Sequence, residues 1–463
     1  MNPDSEDTTI AAVATPPGEG GIAVIRISGQ GAFALASRFF RPSKPKDLNQ
    51  EPGHTIHHGQ WVDENEEAVD TILLSLFRAP HSYTGEDVAE VSCHGGTLLT
   101  RRILEILYRA GARPAEPGEF TKRAFLHGKM DLTQAEAVLD LIRAKSDASL
   151  QAAAQQLQGG LSKKIELLKE RLLKITAHLE AGLDFPDERL EADSREACLK
   201  QMKAVGQEVR LLLAGFERGA RLREGVLTVI VGRPNVGKSS LLNALLARDR
   251  ALVSELPGTT RDALEEEVQI GGVGLRLVDT AGLAASPRGP LDRMGVERTR
   301  QYMKEGDFFL FLLDGSEEWG PEDEAVLTEV REKDFLPVVN KSDLPQKLDS
   351  KKLERHFNGT PPSFVSCRTG EGLTVLEKRI GEKLQTKNIL QESRTLTRLR
   401  HKEALESCLR ALERAGEALA EDLSPELVLV DLKHSLDGLR ELVGEVYSED
   451  LLDVIFREFC IGK

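Results

Sequence analysis

Residues 232–239 read GRPNVGKS: a glycine, four residues, then glycine, lysine and serine. That spacing suits phosphate binding. The glycines let backbone N–H groups wrap a phosphate chain, and a helix starting there adds the favourable end of its dipole. Lys238 then reaches the β- and γ-phosphates, and the Ser239 hydroxyl holds Mg²⁺. PGTTRD, beginning at Pro257, supplies Thr260 as a second hydroxyl for the metal. DTAG, from Asp279 to Gly282, offers a carboxylate that can hold Mg²⁺ through water and an N–H for the γ-phosphate. NKSD, from Asn340 to Asp343, ends on a carboxylate to which guanine N1–H and the exocyclic amine can both donate. Adenine lacks that donor pair and would leave a buried charge unpaired. SCR, at Ser366, Cys367 and Arg368, meets the base from the other side. The expected GTP contacts are Asn235, Val236, Gly237, Lys238, Ser239 and Ser240 in the first string. Ser254, Glu255, Leu256, Pro257, Gly258, Thr259 and Thr260 follow in the second, then Asp279, Thr280, Ala281 and Gly282. Asn340, Lys341, Ser342 and Asp343 complete the set with the SCR residues. One position lacks chemistry: after DTAG come Leu283, Ala284, Ala285 and Ser286, none of which can act as a base towards water.

Such strings work only at the ends of strands. VLTVIV precedes the first and the helical LLNALLA follows it. LRLV precedes DTAG, FLPVV precedes NKSD and SFV precedes SCR. Strands alternating with helices over 223–384 predict an α/β domain with a Ras-like P-loop architecture. Helical period flanks it on both sides. Leu157, Leu161, Ile165, Leu168, Leu172, Ile175, Leu179 and Leu183 recur every three or four residues and predict one long amphipathic helix. A second helical stretch is expected from about Leu190 to Ala214. LRHKEALESCLRALERAGEALA restores the period later, and Ser424 with Pro425 reads as an N-cap and first helical position. The first 120 or so residues differ. GIAVIRISG, TILLSLFRAP and DVAEVSCHGG read as strands separated by turn clusters such as TPPGEGG. The expected fold is multidomain: an α+β N-terminal domain at 1–121, an all-α domain split between 122–222 and 385–463, and the inserted α/β domain at 223–384.

Composition narrows the function classes. With 463 residues, two or three domains are expected. A net charge of −14 and 5% aromatics argue against a chain that coats nucleic acid indiscriminately. Arg394, Arg398, Arg400 and Lys402 form a local basic run that could touch one RNA or line a solvated helix face. Five scattered cysteines without C-x-x-C spacing argue against a disulfide framework or structural zinc. No signal-type h-region and no long apolar run is present, so a cytoplasmic setting without a membrane is expected.

Outside the nucleotide strings, the chain resembles the MnmE (TrmE) tRNA-modification GTPases over its whole length. The resemblance rests on TPPGEGGIAVIRISG, PHSYTGEDVAEVSCHGG, RPAEPGEFTKRAFLHGKMDLTQAEAV and the terminal FCIGK. It implies an N-terminal folate-binding domain that forms a homodimer, a helical domain and an inserted G domain. It also implies a flavoprotein partner, MnmG, in a heterotetramer carrying the FAD, and a carboxymethylaminomethyl-type group built at C5 of the wobble uridine of certain tRNAs. The one-carbon donor would be a 5-formyl- or methylene-tetrahydrofolate. Family folate contacts fall on Arg26, Glu90, Lys129 and Lys463; a K⁺ site falls on Asn235, Ser254, Leu256 and Thr259. Cys460 becomes a candidate nucleophile, or part of a tail ordered by dimer contacts. The loop after DTAGL departs from the family pattern. The family's water-orienting Glu corresponds here to Asp292, one methylene shorter, so the catalytic candidates are Asp292, Lys238 and Cys460. A ribosome-assembly or RNA-chaperone GTPase switch, and a folate-dependent one-carbon enzyme with a regulatory G domain, are the alternatives; neither an assembly switch nor a chaperone needs the N-terminal domain and FCIGK together.

Overall fold

The computed structural model describes residues 8–184, 192–250, 265–279, 300–357, 359–384 and 396–463. Two compact units divide the chain: Met1–Leu139 with Ser162–Ala192 and Arg410–Lys463, and Asp140–Leu161 with Asp193–Leu409.

A seven-stranded sheet organises the first unit. Its strands are β1 (Ile10–Val13), β2 (Gly20–Ser28), β3 (Phe40–Pro42), β4 (Thr55–Val62), β5 (Ala68–Phe77), β6 (Val88–Gly95) and β7 (Arg113–Pro114). They lie in the order β3-β4-β5-β6-β2-β1-β7. All pairs are antiparallel except β1 with β7. The alternation in GIAVIRIS explains the layering. Ile25 and Ile27 point into a core with Trp61, Leu74 and Val91, which Ile103, Ile106 and Leu107 of helix Thr97–Arg109 cover. Arg26 points to the other face, where its register partner is Glu90. That face carries a smaller cluster of Ile10, Ala12, Ala115 and Phe120, with Tyr83 packed against it.

The C-terminal segment belongs to the same unit. Helix Glu449–Arg457 buries Leu452, Ile455 and Phe456, with Phe459, against Phe125, Leu132, Ala135 and Leu139. The tail then returns to the sheet. Phe120 N donates to Lys463 O at 3.1 Å and Gly118 N to Cys460 O at 3.5 Å. Gly462 has φ +97, and a Cβ there would collide with Val13 O. Glycine is therefore required where the tail passes β1.

The long helix is shorter than its leucine period predicts. It runs Gly160–Asp184, with Leu161, Ile165, Leu168, Leu172, Ile175 and Leu179 fully buried. Leu157 ends a separate helix, Asp147–Leu157, which Ser146 and Ser149 cap reciprocally. Gly159, at φ +79, breaks the register between them, as a left-handed residue must. The second stretch forms Ala192–Ala214, and the later ones form Leu399–Ala420 and Pro425–Val443. Ser424 occupies the N-cap but makes no side-chain capping bond there. No described helix is long and apolar enough to cross a membrane.

The second unit contains a six-stranded sheet: β8 (Val226–Val231), β9 (Glu265–Ile270), β10 (Val273–Asp279), β11 (Phe308–Asp314), β12 (Phe335–Asn340) and β13 (Ser363–Phe364). The order is β13-β12-β11-β8-β10-β9, parallel throughout except for β9 against β10. Every residue of β8 and β11 is buried, because cores lie on both faces of the sheet. That double burial is why FFLFLL is an unbroken apolar run. From β8 the chain builds β9 and β10 on one side and β11 on the other. The loop after β8 therefore opens at the point where strand order reverses, and the loops after the parallel strands collect at the same edge.

Candidate nucleotide-binding site

The phosphate loop follows β8 and feeds helix Lys238–Arg250. Gly232 and Gly237 have φ +156 and +100; a Cβ on the first would collide with Leu312 O and on the second with Asn340 Nδ2. Asn235 stands at φ +66, in the left-handed region that Asn tolerates better than most residues. Lys238 is buried, and its Nζ donates to Gly232 O at 2.8 Å and Arg233 O at 2.9 Å. The ammonium thus sits inside the ring of the loop that frames it. Burial pulls its pKa below the ordinary lysine value, against the opposing pull of the Asp279 carboxylate. Ser239 Oγ hydrogen bonds Asp279 Oδ2 across the gap between helix and β10. A hydroxyl and a carboxylate brought together at the phosphate end make an oxygen donor set of the kind Mg²⁺ takes.

The base side is assembled from the ends of β12 and β13. Asn340 is buried, donating from Nδ2 to Val236 O at 2.9 Å and accepting at Oδ1 from Cys367 N at 3.2 Å. Lys341 donates to Asn235 O at 3.2 Å and to Asp314 Oδ2 at 2.6 Å. Asp343 Oδ1 accepts from Ser366 Oγ at 2.6 Å, and Asp343 Oδ2 pairs with Arg368 at 2.5 Å. The Ser366 hydrogen bond, then the Arg368 charge, hold the Asp343 carboxyl below its ordinary pKa. Cys367 lies beside this group; burial pushes its thiol up to about 11, and the Asp343 charge adds to the rise. A thiol that weakly acidic is a packing group at neutral pH. Ser342 N is fixed to Val365 O at 3.0 Å.

Val236, Gly237, Ser240 and the residues just named lie together at this edge. Ser254, Glu255, Leu256, Pro257, Gly258, Thr259, Thr260, Thr280, Ala281, Gly282, Leu283 and Asp292 lie outside the described residues. Two contributors escaped the sequence reading. Asp314 ends the wholly apolar β11 and is buried. Burial alone would raise its pKa, but Lys341 and Ser316 outweigh it and hold it below the ordinary value. Arg233 pairs with Glu317 at 2.6 Å and with the buried Asp323 at 3.4 Å, tying the phosphate loop to helix Pro321–Val330. A lone carboxylate closing an apolar strand was the available signal for Asp314. Arg233 and Asp323 are ninety residues apart in sequence and gave none.

In the first unit, Arg26 and Glu90 are joined at 2.8 Å and both are part-buried. The Arg26 guanidinium lies 5.0 Å from the Tyr83 ring and 5.5 Å from the Phe120 ring. Phe120 N holds the Lys463 carbonyl, which brings the chain end to the same face. Lys129 Nζ donates to Pro80 O at 2.8 Å, on the loop that carries Tyr83. Cys460 is exposed, on a tail bonded through its backbone. Of the basic run, Arg394 lies outside the described residues. The described part is not a uniform helix face: Arg398 is buried against Asp140 at 2.6 Å, and Lys402 lies 5.0 Å from the Phe216 ring. Arg398 is therefore a structural ion pair, and neither an RNA contact nor a solvated charge.

Residues 132–460 match the family described as MnmE helical domain, and residues 9–129 match that described as GTP-binding protein TrmE N-terminus. The chain is 46% identical over 463 residues to a Moorella thermoacetica protein named tRNA modification GTPase MnmE, covering 99% of this chain and 100% of that one. Proteins of the same name from Natranaerobius thermophilus and Bacillus subtilis are 43% and 42% identical, each over 460 residues. They cover 99% and 98% of this chain and 100% of each relative.

Because Asp314 anchors Lys341, Asp314→Asn should weaken guanine-nucleotide binding about ten-fold, the usual consequence of losing a hydrogen bond to a charged group. Titration of the full-length variant with a fluorescent GDP checks this; wild-type affinity would remove Asp314 from the site.

Proposed function

The chain belongs to the MnmE family of tRNA modification GTPases, and from that premise we propose that it hydrolyses GTP at the carboxyl edge of its six-stranded sheet in the service of tRNA modification. The observation that carries this reading is the Asn340 bridge between the phosphate loop and the loop that faces the base. It makes one site of two strings a hundred residues apart. In that site Lys238 would bind the β- and γ-phosphates. Asp343 would accept both donors of the guanine edge, and the SCR string at Ser366, Cys367 and Arg368 would meet the base from the other side. Ser239, supported by Asp279, would hold Mg²⁺ together with Thr260. When bound, that ion neutralises charge on the β- and γ-phosphates. Asn235, Ser254, Leu256 and Thr259 would hold K⁺, whose charge supports the same phosphates. Asp292 is the carboxylate proposed to orient water, since Leu283 cannot.

The N-terminal segment, 1–121, is proposed to bind a tetrahydrofolate one-carbon donor and to form the homodimer. The helical halves, 122–222 and 385–463, then flank the G domain at 223–384. Arg26 and Lys129 would meet the anionic ligand, Glu90 its aminopyrimidine ring, and Lys463 the chain end nearby. The part-buried Arg26–Glu90 pair with the Tyr83 and Phe120 rings beside it suits such a ligand: flat, aromatic and charged. With MnmG as flavoprotein partner, the assembly would act at C5 of the wobble uridine in a cytoplasmic setting. A family match on both sides of the G domain favours this reading over a bare assembly switch.

Three measurements test the proposal. Asp343→Asn should weaken GTP binding about ten- to a hundred-fold and improve xanthosine nucleotides instead; unchanged GTP affinity would contradict the base assignment. Hydrolysis should be faster in KCl than in NaCl of equal ionic strength. In the same assay Asp292→Asn should lower kcat about 10²–10⁴-fold with KM nearly unchanged. Equal rates in both salts would remove the K⁺ site, and normal turnover would remove Asp292. Finally, 5-formyltetrahydrofolate should bind the full-length protein by calorimetry and lose affinity in both Arg26→Ala and Glu90→Ala. Retained affinity in both variants would place the ligand elsewhere.

A further inference from the structure

The Asp343 carboxylate meets a partner of unusual resemblance to its proposed ligand. The edge of guanine that carries N1–H and the amino group is a cyclic guanidine. Arg368 presents a guanidinium, with the same parallel N–H donors, and its terminal nitrogen lies 2.5 Å from Asp343 Oδ2. The side chain of Asp343 is 13% exposed, whereas that of Arg368 is 75% exposed. The acceptor is thus seated in the site and the donor reaches it from solvent.

The backbone that carries Arg368 is fixed. Thr369 N donates to Ser366 Oγ at 3.2 Å, Ser366 N to Glu371 O at 2.9 Å, and Gly370 N to Ser366 O at 2.8 Å. Gly372, at φ +77, admits no Cβ beside Phe364 O. Only the arginine side chain has to move to free Oδ2, while Ser366 can keep its bond to Oδ1.

We infer that Arg368 is a latch on the base site: it occupies Asp343 as a mimic of the guanine edge and leaves when the nucleotide enters. The inference rests on the assignment of Asp343 to guanine. Its consequence is kinetic and thermodynamic. Without the latch, the nucleotide-free protein would keep a half-buried carboxylate without a cationic partner. With it, the empty state is stabilised, so nucleotide binds more weakly and leaves more readily. An arginine that instead stacked on the bound base would have the opposite effect.

The test uses the full-length protein and a fluorescent GDP in stopped flow. Arg368→Ala and Arg368→Gln should both bind GDP about two- to five-fold more tightly, the range of a solvent-exposed ion pair. Raising KCl should improve wild-type affinity relative to the variants, because salt screens the latch. Unchanged or weaker GDP binding in both variants would overturn the latch. The Asp343→Asn titration separates that failure from failure of the base assignment. If Asp343→Asn loses GTP while the Arg368 variants gain nothing, the base site stands and the latch falls. If Asp343→Asn binds GTP normally, both fall.

Discussion

The side-chain amide of Asn340 donates to Val236 O and accepts from Cys367 N, deep in the second unit. Those two bonds join the phosphate loop, the end of β12 and the loop after β13. An amide can do this because it carries donor and acceptor on one planar group. Buried backbone groups must be paired, so removing either partner would strand a polar group without water. The same contact dictates a neighbour: Gly237 has no room for a Cβ against Asn340 Nδ2. Lys341 adds a second tie, from Asn235 O to Asp314. The geometry of the phosphate loop is thus set from the base side of the site, through side chains rather than through the sheet alone.

The sheet supplies the frame for those ties. β8 and β11 are buried along their whole length and run parallel at the centre, so the loops after them are anchored by rigid strands. Strand order reverses around β8, which opens a crevice at the carboxyl edge. Loops there can be polar because the strands beneath carry the hydrophobic burial. Arg233, held by Glu317 and Asp323, fastens the loop from outside as well.

The first unit solves a different problem. Its antiparallel sheet has one face packed on helices and another lined by charged and aromatic groups. Period-two alternation sends Ile25 and Ile27 one way and Arg26 the other. The register of β2 with β6 then brings Glu90 opposite Arg26. The chain end joins this face because Gly462 lets the tail pass Val13 and because Phe120 N needs an acceptor, which Lys463 O provides. FCIGK thereby becomes part of a surface more than four hundred residues away in sequence.

The sequence by itself determined the nucleotide strings, the strands that precede them and the interruption of a helical region by an α/β domain. Those features are local: a glycine needed for a turn, a lysine at fixed spacing and a run of apolar residues long enough for a buried strand. Helix limits were partly legible. Leu157 fits the period of the helix beyond it, but Gly159 in a left-handed conformation outweighs periodicity. The tertiary structure alone decided the partners of charges. Arg398 reads as a surface cation until Asp140 is found beside it, and the pairing of Arg368 with Asp343 is likewise invisible in the string SCR. Asp314 and Asp323 acquire roles only when Lys341 and Arg233 arrive next to them. An ion pair depends on a separation of a few ångströms between residues far apart along the chain, and a one-dimensional pattern carries no such distance.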